Sequence, residues 1–179
     1  LEVETPVRIP APALELNIDA EPAGGWFLRT SPELHMKRLL AAGYGRIFQM
    51  GPCFRMGERG QRHHPEYTML EWYRTGVGSD DILADTRELI RAVVSDVTGG
   101  AAGFRYQGRD IRVDRDWAVL TVEEAYQRWA GWNPVTEFDP DRFDLDMVNR
   151  IEPALPRDRP VVLTDYPAPV AALARRRPE

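Results

Sequence analysis

The chain has 179 residues, of which 28% are charged and 43% hydrophobic, a composition of globular domains rather than of disordered or membrane-embedded chains. No apolar run approaches the ~18 residues a membrane span needs, no secretory signal pattern opens the chain, and a net charge of −5 excludes a general electrostatic pull towards nucleic acid. The single cysteine, Cys53, excludes an internal disulfide and points to a reducing, cytoplasmic setting.

In chain order, residues 1–25 are rich in Pro and Gly and read as a short strand followed by loop. The opening LEVETP lacks a methionine, which predicts that more chain precedes it. WFLRT, Trp26–Thr30, reads as a strand. SPELHMKRLLAAG reads as a helix. Thr30 or Ser31 caps it, Pro32 suits its first turn, Glu33 favours its positive end and Gly43 ends it. Leu34, Met36 or Lys37, Leu39 and Leu40 form its expected buried stripe.

RIFQMGPCFR and EYTMLEWYR are aromatic-rich runs bounded by polar, Gly-containing residues. They predict two antiparallel strands joined by a long loop, Met56 to Glu66. SDDILADTRELIRAVVSDVTGG is the clearest helix, with Ser79 as cap, Asp80 and Asp81 in the first turn and Gly99 at the end. Ile82, Leu83, Leu89, Ile90 and Val93 supply its expected core face. RYQGRDIRV reads as a small hairpin. TVEEAYQRWAG reads as a helix with a Thr121–Glu124 capping box. A helix over Asp141–Ile151 and a buried strand in PVVLTDYP complete the pattern, with the acidic Glu137–Asp146 expected as solvated surface and helix cap. The basic Arg175–Arg177 reads as a solvated chain end. Antiparallel pairs mixed with separate helices predict an α+β fold, an antiparallel sheet flanked by helices.

The central hairpin is the chemically informative stretch. Side chains alternate faces along a strand, so Gln49, Cys53 and Arg55 share a face, and Tyr67, Met69, Glu71 and Tyr73 share one. The opposite face, with Phe48, Met50, Phe54, Thr68, Leu70 and Trp72, is the more apolar and is expected to pack as core. A guanidinium and a carboxylate on a sheet floor suit a ligand carrying both an anion and a cation. Arg59, Arg62, His63 and His64 at the loop suit phosphates, and Tyr67 beside them can stack on a base. The alternative is a solvent-facing strand pair with cross-strand ion pairs. Cys53 reads as a small buried residue rather than a nucleophile.

FRMGERGQRHHPEYTMLEWY closely resembles motif 2 of the class II aminoacyl-tRNA synthetases in their lysyl branch. LEVETP resembles the end of motif 1, with Pro6 in the place of its dimer-interface proline, and TSPELHMKRLLAAG is similar to the start of the amino-acid-binding helix. Thr-Ser-Pro-Glu at Thr30–Glu33 and Glu-Trp-Tyr-Arg at Glu71–Arg74 favour the elongation factor P–lysine ligases, a paralogous group, over the lysyl-tRNA synthetases. The resemblance is specific over residues 1–74 and weak over residues 75–179.

The resemblance implies a role for each of these residues. Arg55, the catalytic residue, binds the ATP α-phosphate and the amino-acid carboxylate. Ser31, Pro32, Glu33, Glu71 and Tyr73 hold lysine or β-lysine. Arg55, Met56, Gly57, Glu58, His63, His64 and Tyr67 hold ATP, with Tyr67 standing where the family stacks a phenylalanine on adenine. The family's Arg-x-Glu is here Arg55-Met56-Gly57 with Glu58 one place later, so Glu58 or the Gly57 backbone takes the adenine contact. The implied acceptor is a lysine of elongation factor P or, in a synthetase, tRNA. A homodimer through motif 1 is implied, and no membrane.

Motif 3 needs a Gly-rich strand and an arginine-bearing helix, but no glycine follows Gly131. The expectation is therefore a single class II catalytic-domain fragment over 1–179, incomplete without motif 3. It holds no metal itself and would meet Mg2+ through the missing C-terminal part. Three functions stand from the sequence: the ligase, a lysyl-tRNA synthetase catalytic domain, and a non-catalytic synthetase-like binding module.

Overall fold

The computed structural model describes residues 1–12, 18–170 and 174. Part of the N-terminal loop and the Arg175–Arg177 cluster lie outside the described residues. The chain forms two compact units, Leu1–Ile82 and Leu83–Glu179.

In the first unit, β1 (Arg8–Ile9), β2 (Pro22–Ala23) and β3 (Trp26–Leu28) make a small antiparallel sheet with β3 in the middle. Helix α1 (Glu33–Ala41) follows. Pro32 is its N-cap residue, and the Ser31 hydroxyl accepts from the Glu33 amide at 3.1 Å. That satisfies one of the free N–H groups of the first turn. Of the expected stripe, Met36 is fully buried, whereas Leu34 is 42% exposed. The turn that anchors the helix directs Met36 inward and leaves Leu34 two residues away on the outer side.

Strands β4 (Arg46–Phe54) and β5 (Glu66–Arg74) pair antiparallel over their full length, with Gln49 opposite Glu71 and Cys53 opposite Tyr67. The N-terminal residues add to the other edge of β4, where the Val3 amide donates to the Phe48 carbonyl at 2.9 Å. The two faces are covered in the reverse of the sequence expectation. Ile47, Gln49 and Cys53 are buried, while Phe48, Met50 and Leu70 are 40%, 63% and 40% exposed. The reason is local. Segment 29–33 crosses the polar face: the Ser31 hydroxyl reaches Glu71 at 2.9 Å, and the Tyr67 hydroxyl reaches the Thr30 carbonyl at 3.3 Å.

Helix α2 (Ser79–Thr98) runs from the first unit into the second. Ser79 is its first helical residue, and Asp81 closes the turn by accepting from the Gly78 amide at 3.0 Å. In its later turns Val94 is buried and Val93 is 51% exposed, the opposite of the sequence expectation.

The second unit continues with the hairpin β6 (Gly103–Tyr106) and β7 (Arg109–Arg112). Its two-residue turn, Gln107-Gly108, has φ of 47° and 78°. Two consecutive positive φ values match the twist of a hairpin, and Gly108 adopts its value without strain. Strand β8 (Ala118–Thr121) leads into α3 (Val122–Trp129) through the expected capping box, with both Thr121–Glu124 bonds present. Helix α4 (Pro140–Asp146), a π-helical turn at Met147–Ile151 and the short α5 (Glu152–Ala154) form one helical stretch. Strand β9 (Val161–Thr164) pairs with β8, and this pair is parallel. The architecture is thus mixed α+β, mostly antiparallel, with one crossover pair.

The core of this unit is Val122, Ala125, Tyr126, Ala130, Trp132, Phe143 and Ile151. Tyr126 stacks on Phe143 at 4.9 Å, meets Trp132 edge-on at 5.5 Å and donates its hydroxyl to the Phe143 carbonyl at 2.6 Å. Asp146, expected in solvated surface, is 8% exposed. It accepts from Trp132 Nε1 at 2.8 Å and pairs with Arg150 at 2.9 Å, which compensates its burial.

Candidate active site

The β4–β5 hairpin supplies the floor of the site. Antiparallel register places Gln49 beside Glu71, Cys53 beside Tyr67 and Ile47 beside Tyr73 on one face. Arg55 follows β4 by one residue, and its guanidinium lies 5.4 Å from the Tyr67 ring centre, which puts it with that face. Glu71 is held at both oxygens, by the Ser31 hydroxyl at 2.9 Å and by the Tyr73 hydroxyl. Burial first, then the hydrogen bond to Glu71 and the nearby charges of Glu71 and Glu33, pushes the Tyr73 phenol far above its ordinary range. Tyr73 therefore stays a hydroxyl donor and, with Ser31, orients the Glu71 side chain.

The structure brings together Arg55, Tyr67, Glu71, Tyr73 and Ser31. Pro32 is fully buried beneath the start of α1. Glu33, whose side chain is 25% exposed, pairs with Lys37 Nζ at 2.6 Å, one helical turn on. In the connecting loop Glu58 lies 3.9 Å from Arg55, and Gly57 takes φ of 78°. Met56, His63 and His64 are exposed on that loop. Burial raises the Cys53 thiol above its ordinary value, opposed by Arg29, so Cys53 is an unreactive floor residue.

Two buried polar atoms on this face have no hydrogen-bond partner among the described residues: Arg55 Nε, a donor, and Gln49 Oε1, an acceptor. Unmatched buried groups cost free energy unless a ligand satisfies them. Their chemistry is complementary to an anion at one end and an ammonium at the other.

Sequence reasoning missed Arg29, which is 2% exposed. Its Nε donates to the Pro52 carbonyl at 2.9 Å and its Nη1 to Thr5, at 2.9 Å to the carbonyl and 3.1 Å to the hydroxyl. It ties the N-terminal segment to β4 just before the Thr30–Glu33 turn. An arginine ending the apolar run WFL was the only available signal. Lys37, read in the sequence as an alternative to Met36 in the buried stripe, is instead partly exposed and pairs with Glu33 at the helix-pair spacing of four residues.

A family model described as tRNA synthetases class II (D, K and N) matches residues 1–179. The chain belongs to this class II synthetase family. Among curated relatives, it is 38% identical over 155 residues to the elongation factor P–(R)-β-lysine ligase of Hamiltonella defensa, covering 83% of this chain and 47% of that protein. It is 35% identical over 197 residues to the ligase of the same name from Vibrio cholerae, covering 99% of this chain and 59% of the relative. The Haemophilus influenzae ligase is 32% identical over 192 residues, covering 100% and 59%. The chain therefore spans about half the length of the curated relatives it matches. No helix among the described residues is long and apolar enough to cross a membrane.

Proposed function

We propose that the full-length protein activates lysine or β-lysine with ATP and transfers it to a lysine side chain of elongation factor P. The observation that carries this reading is the pair of unmatched buried atoms on one sheet face, the Arg55 donor and the Gln49 acceptor beside the doubly anchored Glu71. The names of the relatives supply the acceptor.

In this reading the substrate carboxylate attacks the α-phosphorus of ATP and pyrophosphate leaves. Arg55 neutralises the charge that accumulates on the non-bridging oxygens. Glu71 and the Gln49 carbonyl receive one substrate ammonium, and Glu33 receives the other. The Arg55 Nε without a partner fits the phosphate or carboxylate of these substrates. Tyr67 presents a ring for the adenine, with its hydroxyl fixed on Thr30. The acceptor amine then attacks the carbonyl carbon of the adenylate, and AMP leaves. The described residues gather no group of three or more acidic, His or Cys ligands. These residues do not fit a Mg2+ site.

The family description also embraces synthetases that charge tRNA, which makes tRNA the competing acceptor. The test is ATP–pyrophosphate exchange by the full-length protein with α-lysine and β-lysine, followed by transfer of radiolabelled amino acid to elongation factor P or tRNA. Exchange with a lysine and labelling of elongation factor P is expected. Labelling of tRNA alone would select the synthetase, and no exchange with any lysine would leave a binding module.

A further inference from the structure

The second unit carries a groove of about 430 Å³ that the proposed chemistry does not use. One wall is a single face of the β6–β7 hairpin. Phe104 pairs with Ile111 and Tyr106 with Arg109, and all four line the groove. The register sends Arg105 and Asp110 to the opposite face, so the groove wall is apolar along its length and basic at the tip. The other wall comes from residues 156–160 and adds Arg157 and Arg159. The Arg112 amide donates to the Asp158 carbonyl at 2.8 Å and Arg115 bonds the Asp158 side chain at 2.9 Å, so backbone and side chain both hold the walls in place.

Among the described residues, no Asp or Glu lines this groove, although the chain as a whole carries a net charge of −5. Arg159 Nε is buried without a hydrogen-bond partner among them, and Asp158, 3.9 Å away, is already engaged by Arg115. Tyr106 and Phe104 are 58% and 39% exposed. Exposed aromatics flanked by arginines, over an aliphatic floor, are the composition of a protein-recognition surface. The negative net charge and the aliphatic floor disfavour a phosphate-rich polymer, which needs a continuous basic track.

We propose that this groove docks an acidic segment of the protein acceptor, with an apolar side chain against Phe104, Tyr106 and Ile111 and carboxylates on Arg109, Arg157 and Arg159. The proposal rests on the acceptor reading above and adds where that acceptor is recognised. The groove contributes affinity for the acceptor and nothing to amino-acid activation.

The experiment uses the full-length protein, the double variant Arg109→Glu/Arg157→Glu and, separately, Tyr106→Ser. All three replaced residues are exposed, so folding should be retained, and thermal melts check it. The measurements are the Kd for elongation factor P by titration, its KM in transfer, ATP–pyrophosphate exchange with lysine and β-lysine, and the Kd for tRNA. The expected result is a Kd and KM for elongation factor P raised about tenfold or more in both variants, with exchange unchanged and binding weakened by salt. An unchanged Kd for elongation factor P in both variants would overturn the proposal, as would loss of tRNA binding with elongation factor P binding kept. Absence of exchange in the unaltered protein would sink the activation reading instead. The Kd comparison still judges the groove in that case, and an unaltered protein that binds no elongation factor P refutes it.

Discussion

Gly51 lies on the face of β4 crossed by the Arg29 guanidinium, and a Cβ there would stand 2.7 Å from Arg29 Nη2. Gly51→Ala therefore forces the guanidinium back by about 0.7 Å to reach the 3.4 Å of ordinary contact. A free arginine would swing aside. This one is buried and pinned by three bonds of 2.9–3.1 Å to Pro52 and Thr5. Retreat lengthens those charge-assisted bonds, each worth roughly 1.5–3 kcal/mol, while overpacking adds about 1–3 kcal/mol. Because the two costs share one displacement, we expect a net loss of about 2–4 kcal/mol. Urea unfolding of the full-length protein, followed by tryptophan fluorescence, measures it. The reasoning predicts coupling: in an Arg29→Met background the same substitution should cost less than about 1 kcal/mol. Equal costs in both backgrounds would refute the account of Arg29 as a fixed strut.

In the full-length protein Arg55→Ala should lower pyrophosphate exchange about 100-fold at saturating substrates, and a loss confined to KM would remove Arg55 from the transition state. Glu33→Ala should raise the KM for lysine about tenfold and leave the KM for ATP unchanged, and equal losses for both would make Glu33 only a helix-start residue. Burial, then Arg38 and Arg29, depresses His35 below its ordinary 6.5, so the folded state prefers the neutral ring. Stability is then full above pH 6.5 and declines as pH falls through the folded value. His35→Gln should flatten unfolding free energy between about pH 7 and 5, and an unaltered slope would assign the decline elsewhere. Tyr126→Phe leaves the Phe143 carbonyl without its buried donor and should cost about 1–2 kcal/mol in urea unfolding, and a cost near zero would mean that water replaces the donor.

Local features were legible because their causes are local. The Thr121–Glu124 box, the Gln107-Gly108 turn and the alternation of β4 and β5 each follow from residues within a few positions of one another. The same alternation assembled Arg55, Tyr67, Glu71 and Tyr73 on one face from the strand period alone. Which face would be covered was not legible. Period-2 patterning sorts side chains into two sets, but it does not say which set another segment will cross. Here hydrogen bonds from Ser31 to Glu71 and from Tyr67 to Thr30 settle it, across 40 and 37 residues of sequence.

The same distinction separates Val93 from Val94, adjacent residues of equal hydrophobicity on a helix whose phase is set by its packing. Asp146 reads as one more acid in an acidic run until Trp132 and Arg150 close around it. Residues 122–160 separate β8 from β9, so their parallel pairing carries a loop-closure cost that no local pattern repays or reveals. Arg29 is the plainest case. Its acceptors lie 23 and 24 residues away, and only the folded chain brings two backbone carbonyls and a side chain-free Gly51 around one buried guanidinium.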